Sequence, residues 1–119
     1  MTRKNDHIKV GKEGEKLAAD YLLEKGFEVI EKNYRYRRFE IDIIAKKEST
    51  IVFVEVKTRS GNYFGEPEET VAEKQAAQII EAAENYIFEN DWNGEIRFDI
   101  ISILKRKENQ ITHFEDAFY

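Results

Sequence analysis

The chain has 119 residues, 41% of them hydrophobic, which predicts a globular protein with one domain over residues 1–119. It has no cysteine, which excludes disulfides and thiolate metal sites. The polar segment Met1–Lys12 lacks the apolar core of a signal peptide, and no apolar run approaches the length of a membrane span. We therefore expect a soluble, cytoplasmic protein without a membrane partner.

The net charge of −5 is unevenly distributed along the chain. Residues 1–59 carry 14 Lys and Arg against 11 Asp and Glu, whereas residues 60–99 carry 2 against 10. One short stretch combines basic and aromatic residues: Lys32, Tyr34, Arg35, Tyr36, Arg37 and Arg38. Such a stretch favours a polyphosphate backbone with stackable bases, and a solvated loop is the alternative interpretation.

The first predicted element is a helix from Ile8 to Lys25, which Gly26 ends at the C-cap. Its helical spacing puts Glu15 on or beside the packing face, among small side chains. A short strand, Phe27–Glu31, is predicted next, followed by the basic stretch.

Two further strands, Phe39–Lys46 and Thr50–Lys57, are predicted to form an antiparallel hairpin because only three residues join them. The later predicted elements are a loop at Ser60–Pro67, a helix at Glu68–Glu89, a strand at Ile96–Leu104 and an edge strand at Ile111–Phe114. The predicted order is α-β-β-β-α-β-β, an α/β (α+β) fold with a mixed sheet flanked by helices.

Charged residues interrupt two of these apolar strands. Alternation puts Glu55 and Lys57 on the face of Thr50–Lys57 that is apolar in its first half. A Glu–Lys ion pair at an exposed strand end would explain that strand alone. In the partner strand, however, alternation groups Glu40, Asp42 and Ile44 on one face, opposite Ile41 and Ile43, and the hairpin makes Asp42 a neighbour of Glu55.

These acids predict a site for a hard divalent cation. Magnesium favours oxygen ligands and is usually held by one or two carboxylates together with water and substrate phosphates. Asp42 and Glu55 are the predicted ligands, the Val56 carbonyl lies between the two functional side chains of its strand, and Lys57 offers a compact positive charge. This combination suits metal-assisted phosphoryl hydrolysis with Mg²⁺ or Mn²⁺.

Asp42, followed after twelve residues by Glu55-Val56-Lys57, resembles the PD-(D/E)xK nuclease signature. More narrowly, the chain resembles the YraN family of small bacterial endonuclease-like proteins. The matching segments are Gly11–Leu22 (GKEGEKLAADYL), Asn33–Ala45 (NYRYRRFEIDIIA), Ile51–Arg59 (IVFVEVKTR), Lys74 and Arg97–Asp99. Family members commonly have Gly where this chain has Phe39, a ring that either narrows access to the acids or fills core space.

The resemblance implies a restriction-endonuclease-like core similar to Holliday-junction resolvases, with branched or structured DNA as the first substrate to consider. It implies catalytic roles for Asp42, Glu55 and Lys57, and it places Glu15 near the metal. Glu40 is an accessory candidate. Candidate nucleic-acid contacts are Lys32, Arg35, Arg37, Arg38, Arg59, Lys74 and the Ser60–Gly65 loop. The resemblance leaves a homodimer open as the assembly state.

Three functional interpretations follow from the sequence. The leading one is a divalent-metal-dependent endonuclease that acts on DNA. The alternative is a nucleic-acid-binding module that keeps the nuclease fold without catalysis, and a third is a protein-interaction domain that uses the acidic second helix. Salt-sensitive DNA binding would argue against the third.

Overall fold

The computed structural model describes the backbone of residues 3–60, 65, 67 and 69–118, and the side chains of these residues from Gly11 onward. Within this part of the chain lie two helices, α1 (Arg3–Glu24) and α2 (Glu73–Glu89). The strands are β1 (Glu28–Tyr36), β2 (Phe39–Lys47), β3 (Thr50–Arg59), β4 (Glu95–Leu104) and β5 (Gln110–Phe114). The element order and the five-stranded mixed sheet confirm the predicted fold class.

The strands lie across the sheet in sequence order, β1 to β5. β3 and β4 are parallel, and the other neighbouring pairs are antiparallel. The parallel pair requires a crossover, which contains α2. β5 lies at one edge of the sheet, as predicted.

The sheet separates two apolar cores. Ala18 and Leu22 of α1 are fully buried against one face, which we call the α1 side. Ile79, Ala83 and Tyr86 of α2 are buried against the other face, which we call the α2 side. β3 contributes to both cores because its side chains alternate, and this central position explains why both of its faces begin as apolar. Neither helix is long and apolar enough to cross a membrane.

β1 is longer than predicted, because it continues past Glu31 to Tyr36. Tyr34 is buried on the α2 side, and Tyr36 packs against the same core. These two rings anchor the basic stretch in the sheet, and its remaining residues, Arg37 and Arg38, form the turn to β2. The basic stretch is therefore a strand and a hairpin turn, not a solvated loop.

α2 begins at Glu73, so the predicted start at Glu68, which lies outside the described residues, is wrong. Ala72 has φ −56° and ψ 143°, which is an extended conformation, and Val71 packs against the α2-side core. The chain thus enters the helix as an extended segment fixed by apolar packing. Within the predicted Ser60–Gly65 loop, residues 61–64 lie outside the described residues.

Candidate active site

The alternation of side chains along β2 breaks at Asp42. Ile41 and Ile44 pack on the α2 side, whereas Ile43 packs on the α1 side. A regular strand would give Ile41 and Ile43 the same face, so Asp42 occupies an irregular position between them. Asn33 lies at the matching position of β1 and has the left-handed φ of 55°. The predicted common face of Glu40, Asp42 and Ile44 is therefore wrong, because the strand is kinked where it was assumed to be regular.

Asp42 and Glu55 meet where β2 and β3 separate. The Cα pairing of the two strands runs from Lys47 and Thr50 to Ile43 and Val54 and ends there. Beyond that point the backbone N–H of Val56 donates a 2.7 Å hydrogen bond to Asp42 Oδ2 instead of to a β2 carbonyl. The carboxyl group of Glu55 lies close enough to that of Asp42 to raise its pKa. The break in β2 thus lets two acids on neighbouring strands face each other.

Two neighbouring carboxylates repel each other unless one of them binds a proton or a cation. Burial of Asp42 and the adjacent Glu55 carboxylate raise the pKa of Asp42 to about 9, against the opposing effect of the Val56 N–H. Glu55 is 8% exposed, so water screens this repulsion poorly. Without a cation, Asp42 therefore holds a proton at neutral pH.

Two more acids approach Asp42 from the α1 side. Ligand oxygens of Glu15, Glu40 and Asp42 all lie within 4.8 Å of one another, the one such group among the described residues. Asn33 Nδ2 donates to Glu15 Oε1 at 2.9 Å and to Glu40 Oε1 at 3.2 Å. Burial raises the pKa of Glu15, while the Asn33 hydrogen bond lowers it and the carboxylates of Asp42 and Glu40 raise it further. The cluster thus concentrates negative charge from α1 and β2 beside the Asp42–Glu55 pair.

This donor set fits a hard divalent cation. All of its side-chain donors are carboxylate oxygens, which Mg²⁺ and Mn²⁺ prefer. Within a strand the N–H and C=O of one residue point to the same side, so the Val56 carbonyl also points into the gap beside Asp42. A cation bound by these oxygens would take over from the Asp42 proton in offsetting the negative charge of the acids.

α2 supplies a contact that the sequence analysis missed. Gln75 Nε2 donates a hydrogen bond to Glu55 Oε2, so the first turn of α2 fixes one oxygen of that carboxylate. Lys57 is half-buried and lies two residues after Glu55 in β3. Because β3 pairs regularly with β4 as far as Arg59, the side chains of Glu55 and Lys57 lie on the same face of the sheet. A glutamine on the polar side of a helix gives no signal in the sequence, because solvated residues are normal there.

Among the described residues, some of the predicted phosphate-binding residues form ion pairs with acidic side chains of the protein, and others do not. Arg35 Nε lies 3.2 Å from Glu40 Oε2, and Arg37 Nη1 lies 3.4 Å from Glu81 Oε1. Arg37 also lies over the ring of Tyr36, 5.1 Å from its centroid. Arg38 is exposed and has no ion pair or hydrogen bond with any described residue.

The other predicted contacts lie on β1, β3 and α2. Lys32 is exposed on β1, and Lys74 is exposed in the first turn of α2, next to Gln75. Arg59 is half-buried, and its guanidinium donates to the Thr58 carbonyl at 3.2 Å. An open cleft of about 480 Å³ adjoins the cluster, and its lining includes Lys12, Glu15, Asn33, Arg35 and Glu40.

Phe39 fills core space. Its ring packs against the α2-side core, whereas the neighbouring Glu40 lies with Glu15 and Asn33 on the α1 side. The ring therefore lies on the opposite side of the sheet from Glu15 and Glu40.

A second charged network lies at β4 and β5. Asp99 is fully buried and accepts hydrogen bonds from Arg97 Nε and Nη2, each at 2.9 Å, and from the backbone N–H of Asp116 at 3.0 Å. His113 Nε2 lies 2.7 Å from the same carboxylate, and its Nδ1 lies 3.2 Å from the hydroxyl of Tyr21 on α1. Burial alone would raise the pKa of Asp99, but the His113 and Arg97 contacts outweigh it and lower the pKa. Every oxygen of Asp99 is used inside the protein, so this network is structural.

We expect Asp99→Ala to lower the free energy of unfolding by about 3–5 kcal/mol, because it leaves Arg97 and His113 without their buried partner. Glu115→Ala is the matched control, since Glu115 pairs with the same arginine at 3.0 Å but is 63% exposed. That variant should change stability by less than about 1 kcal/mol. Urea unfolding measures both values, and equal losses in the two variants would contradict a structural role for Asp99.

Comparison with known proteins identifies relatives over nearly the whole chain. The family model described as "Uncharacterised protein family UPF0102" matches residues 14–103. A UPF0102 protein of Christiangramia forsetii is 46% identical over 115 residues, covering 96% of this chain and 97% of the relative. UPF0102 proteins of Alkaliphilus oremlandii and Persephonella marina are 47% and 44% identical, over 92% and 91% of this chain and 97% and 91% of the relatives. The chain therefore belongs to the UPF0102 family, the YraN family that its sequence resembles.

Proposed function

We propose that the chain is a divalent-cation-dependent endonuclease that hydrolyses phosphodiester bonds in DNA. The observation that carries this proposal is the Asp42–Glu55 pair, two acids on neighbouring strands that meet at a break in the sheet and raise the pKa of Asp42. Buried like charges are costly, and such arrangements occur mainly where a site needs them. Ligand oxygens of Glu15 and Glu40 lie within 4.8 Å of one on Asp42, and an open cleft adjoins Glu15 and Glu40.

In this proposal Asp42, Glu55 and Glu15 hold a Mg²⁺ or Mn²⁺ ion, together with the Val56 carbonyl. The bound ion supplies Lewis-acid polarisation of a phosphoryl oxygen and neutralises developing negative charge. Gln75 keeps the Glu55 carboxylate oriented through its hydrogen bond to Oε2. Asn33 Nδ2 donates hydrogen bonds to both Glu15 and Glu40. Glu40 therefore acts as an accessory acid that holds the Asn33 amide in place beside Glu15.

Lys57 provides positive charge beside the reacting phosphate. Its ammonium group shares a face of the sheet with Glu55 and is half-buried, which strengthens its field relative to a fully hydrated lysine. In this role it stabilises the attacking water in its deprotonated form and the charge on the phosphoryl oxygens. Lys57 therefore contributes to turnover rather than to cation binding.

On the substrate side, the β1–β2 hairpin binds phosphates of the DNA backbone. Arg38 contributes most in its turn, because Glu81 already forms an ion pair with Arg37.

Arg38→Ala should weaken DNA binding and reduce the slope of log K against log salt by about 0.7–0.9, as expected for one lost phosphate contact. Arg37→Ala is the matched control one residue away and should change both quantities less. Fluorescence anisotropy over a salt series measures them, and an effect of Arg37→Ala equal to or larger than that of Arg38→Ala would contradict this placement.

A cleavage assay tests the proposed function. Purified protein is incubated with labelled branched, single-stranded and duplex DNA, with Mg²⁺, with Mn²⁺ or with EDTA. We expect cleavage with the cations and none with EDTA, and we propose branched DNA as the preferred substrate. Asp42→Asn protein, purified in parallel, controls for a contaminating nuclease. No cleavage of any substrate at saturating cation would contradict the proposal.

The alternative is a nucleic-acid-binding module without catalysis. The basic hairpin supports it, since exposed cations on β1 and its turn need no metal to bind phosphate. That alternative predicts DNA affinity that does not depend on divalent cations and a Lys57→Ala effect no larger than one lost charge. Catalytic inactivity of the wild type together with salt-sensitive DNA binding would establish it.

A further inference from the structure

We infer that Gly14 is a positioning residue that holds Glu15 at the cation site by letting α1 lie directly on β3. This inference rests on the proposed cation-binding role of the acid cluster. Gly14 is buried in the middle of α1, immediately before Glu15. Glycine in a helix interior is unfavourable relative to alanine, so its presence there requires a reason.

The reason is lack of space between α1 and β3. A Cβ atom on Gly14 would lie 3.0 Å from Thr58 Cβ and 3.1 Å from Thr58 Cγ2. It would also overlap with Thr58 Oγ1. Rotation of the threonine side chain does not remove the conflict, because Thr58 Cβ itself lies 3.0 Å from the added atom and does not move on rotation. The absence of a side chain at Gly14 therefore sets how closely α1 approaches β3.

Other contacts prevent α1 from simply moving outward to accommodate a side chain. Ala18 and Leu22, further along the helix, are fully buried in the α1-side core. Glu13 forms an ion pair with Lys105, the residue that follows β4. The contacts of Glu13 on one side and of Ala18 and Leu22 on the other hold α1 in place. A methyl group at position 14 would therefore displace the short part of α1 that carries Glu15.

The displacement matters because Glu15 reaches the site from α1 while the other acids come from the sheet. Its ligand oxygen lies within 4.8 Å of those of Glu40 and Asp42, and its Oε1 accepts a 2.9 Å hydrogen bond from Asn33. Cation–oxygen distances have a narrow range, so a shift of a few tenths of an ångström in one ligand lowers affinity. Thr58 follows Lys57 in β3, so the same contact also sets the distance between α1 and the catalytic strand.

Manganese affinity of the purified protein, measured by calorimetry without DNA, tests the inference. We expect Gly14→Ala to lower this affinity by about 10- to 100-fold, as for the loss of other groups that orient metal ligands. Gly11→Ala is the matched control, because it makes the same change three residues earlier in α1, where an added Cβ meets no atom within 4 Å. Gly11→Ala should keep the wild-type manganese affinity and unfold at the same or a higher temperature.

Two double variants identify the cause of a loss in Gly14→Ala. Thr58→Ala removes Oγ1 and Cγ2, so Gly14→Ala/Thr58→Ala should recover most of the affinity that Gly14→Ala loses. Glu15→Gln should lower affinity in the wild-type background but cause little further loss in Gly14→Ala, because Glu15 is already displaced there. A general destabilisation of α1 would produce neither the recovery nor this non-additivity.

Each outcome decides the inference. Wild-type protein that binds no manganese would overturn both the proposed function and this inference. Wild-type binding with Gly14→Ala equal to Gly11→Ala would overturn the inference alone, as would a loss that Thr58→Ala does not reduce. If Gly14→Ala does not fold, the double variant Gly14→Ala/Thr58→Ala is compared with Thr58→Ala instead. Both of these variants should fold and bind manganese with equal affinity. Unequal binding of those two would overturn the inference.

Discussion

Asp42→Asn is expected to lower cation affinity and DNA cleavage together, whereas Lys57→Ala is expected to lower cleavage alone. Asparagine keeps the size of Asp42 but removes the negative charge that the cation needs. Lys57→Ala leaves all four acids in place and removes one positive charge beside the phosphate. We expect turnover to fall by about two to four orders of magnitude in Lys57→Ala, the range for one electrostatic or proton-transfer contribution.

Calorimetry with Mn²⁺ and cleavage of labelled DNA measure these two effects on the same preparations. Glu40→Gln serves as the control, since Glu40 already pairs with Arg35 and should contribute less to cation affinity than Asp42. Cleavage that survives both Asp42→Asn and Lys57→Ala would place the activity elsewhere. Loss of cation affinity in Lys57→Ala would contradict the separate roles of Lys57 and the acids.

The second large effect concerns the stability of the cation-free protein. The folded-state pKa of Asp42 is raised from 3.8 to about 9, so the folded protein binds a proton that the unfolded chain releases between these values. The stability that this proton confers is complete below about pH 4 and is lost progressively as pH rises towards 9. Asp42→Asn removes this dependence, because an amide does not titrate in this pH range.

Asp42→Asn should therefore be more stable than the wild type at pH 7 in EDTA, by on the order of 3 kcal/mol. The difference should grow from pH 5 to pH 8, and saturating Mn²⁺ should reduce it by stabilising the wild type alone. Urea unfolding at several pH values, with EDTA or Mn²⁺, measures this. A wild type that is equally stable from pH 5 to pH 8 in EDTA would show that folding does not raise the pKa of Asp42.

The sequence predicts the fold wherever apolar periodicity is strong. The bounds of β2 and β4 differ from the predicted ones by one residue each, and the hairpin of β2 and β3 forms as expected. β1 was predicted too short because its second half alternates aromatic with basic residues, and only the buried position of Tyr34 reveals a strand. The start of α2 was placed too early because Val71 packs as an extended residue, a tertiary effect that helical spacing does not contain.

The candidate site shows the same division between local and tertiary information. The acids on β2 and β3 were identified because they interrupt apolar strands, which is a local signal. The break in alternation at Asp42 was not predicted, because the pattern of β2 alone implies a regular strand; in the sheet, Asp42 lies opposite Asn33, which has a left-handed backbone. Gln75 and the close approach of Gly14 to Thr58 each join residues distant in sequence, and neither residue type marks a site by itself.

Proton release on cation binding tests the central claim most directly. Mn²⁺ is titrated into the wild-type protein at pH 7 in two buffers of different ionisation enthalpy, and the difference in heat gives the number of protons released. A cation that takes the place of the Asp42 proton releases about one proton per ion bound. Mn²⁺ binding without proton release, or no Mn²⁺ binding at all, would contradict a cation site at these two carboxylates.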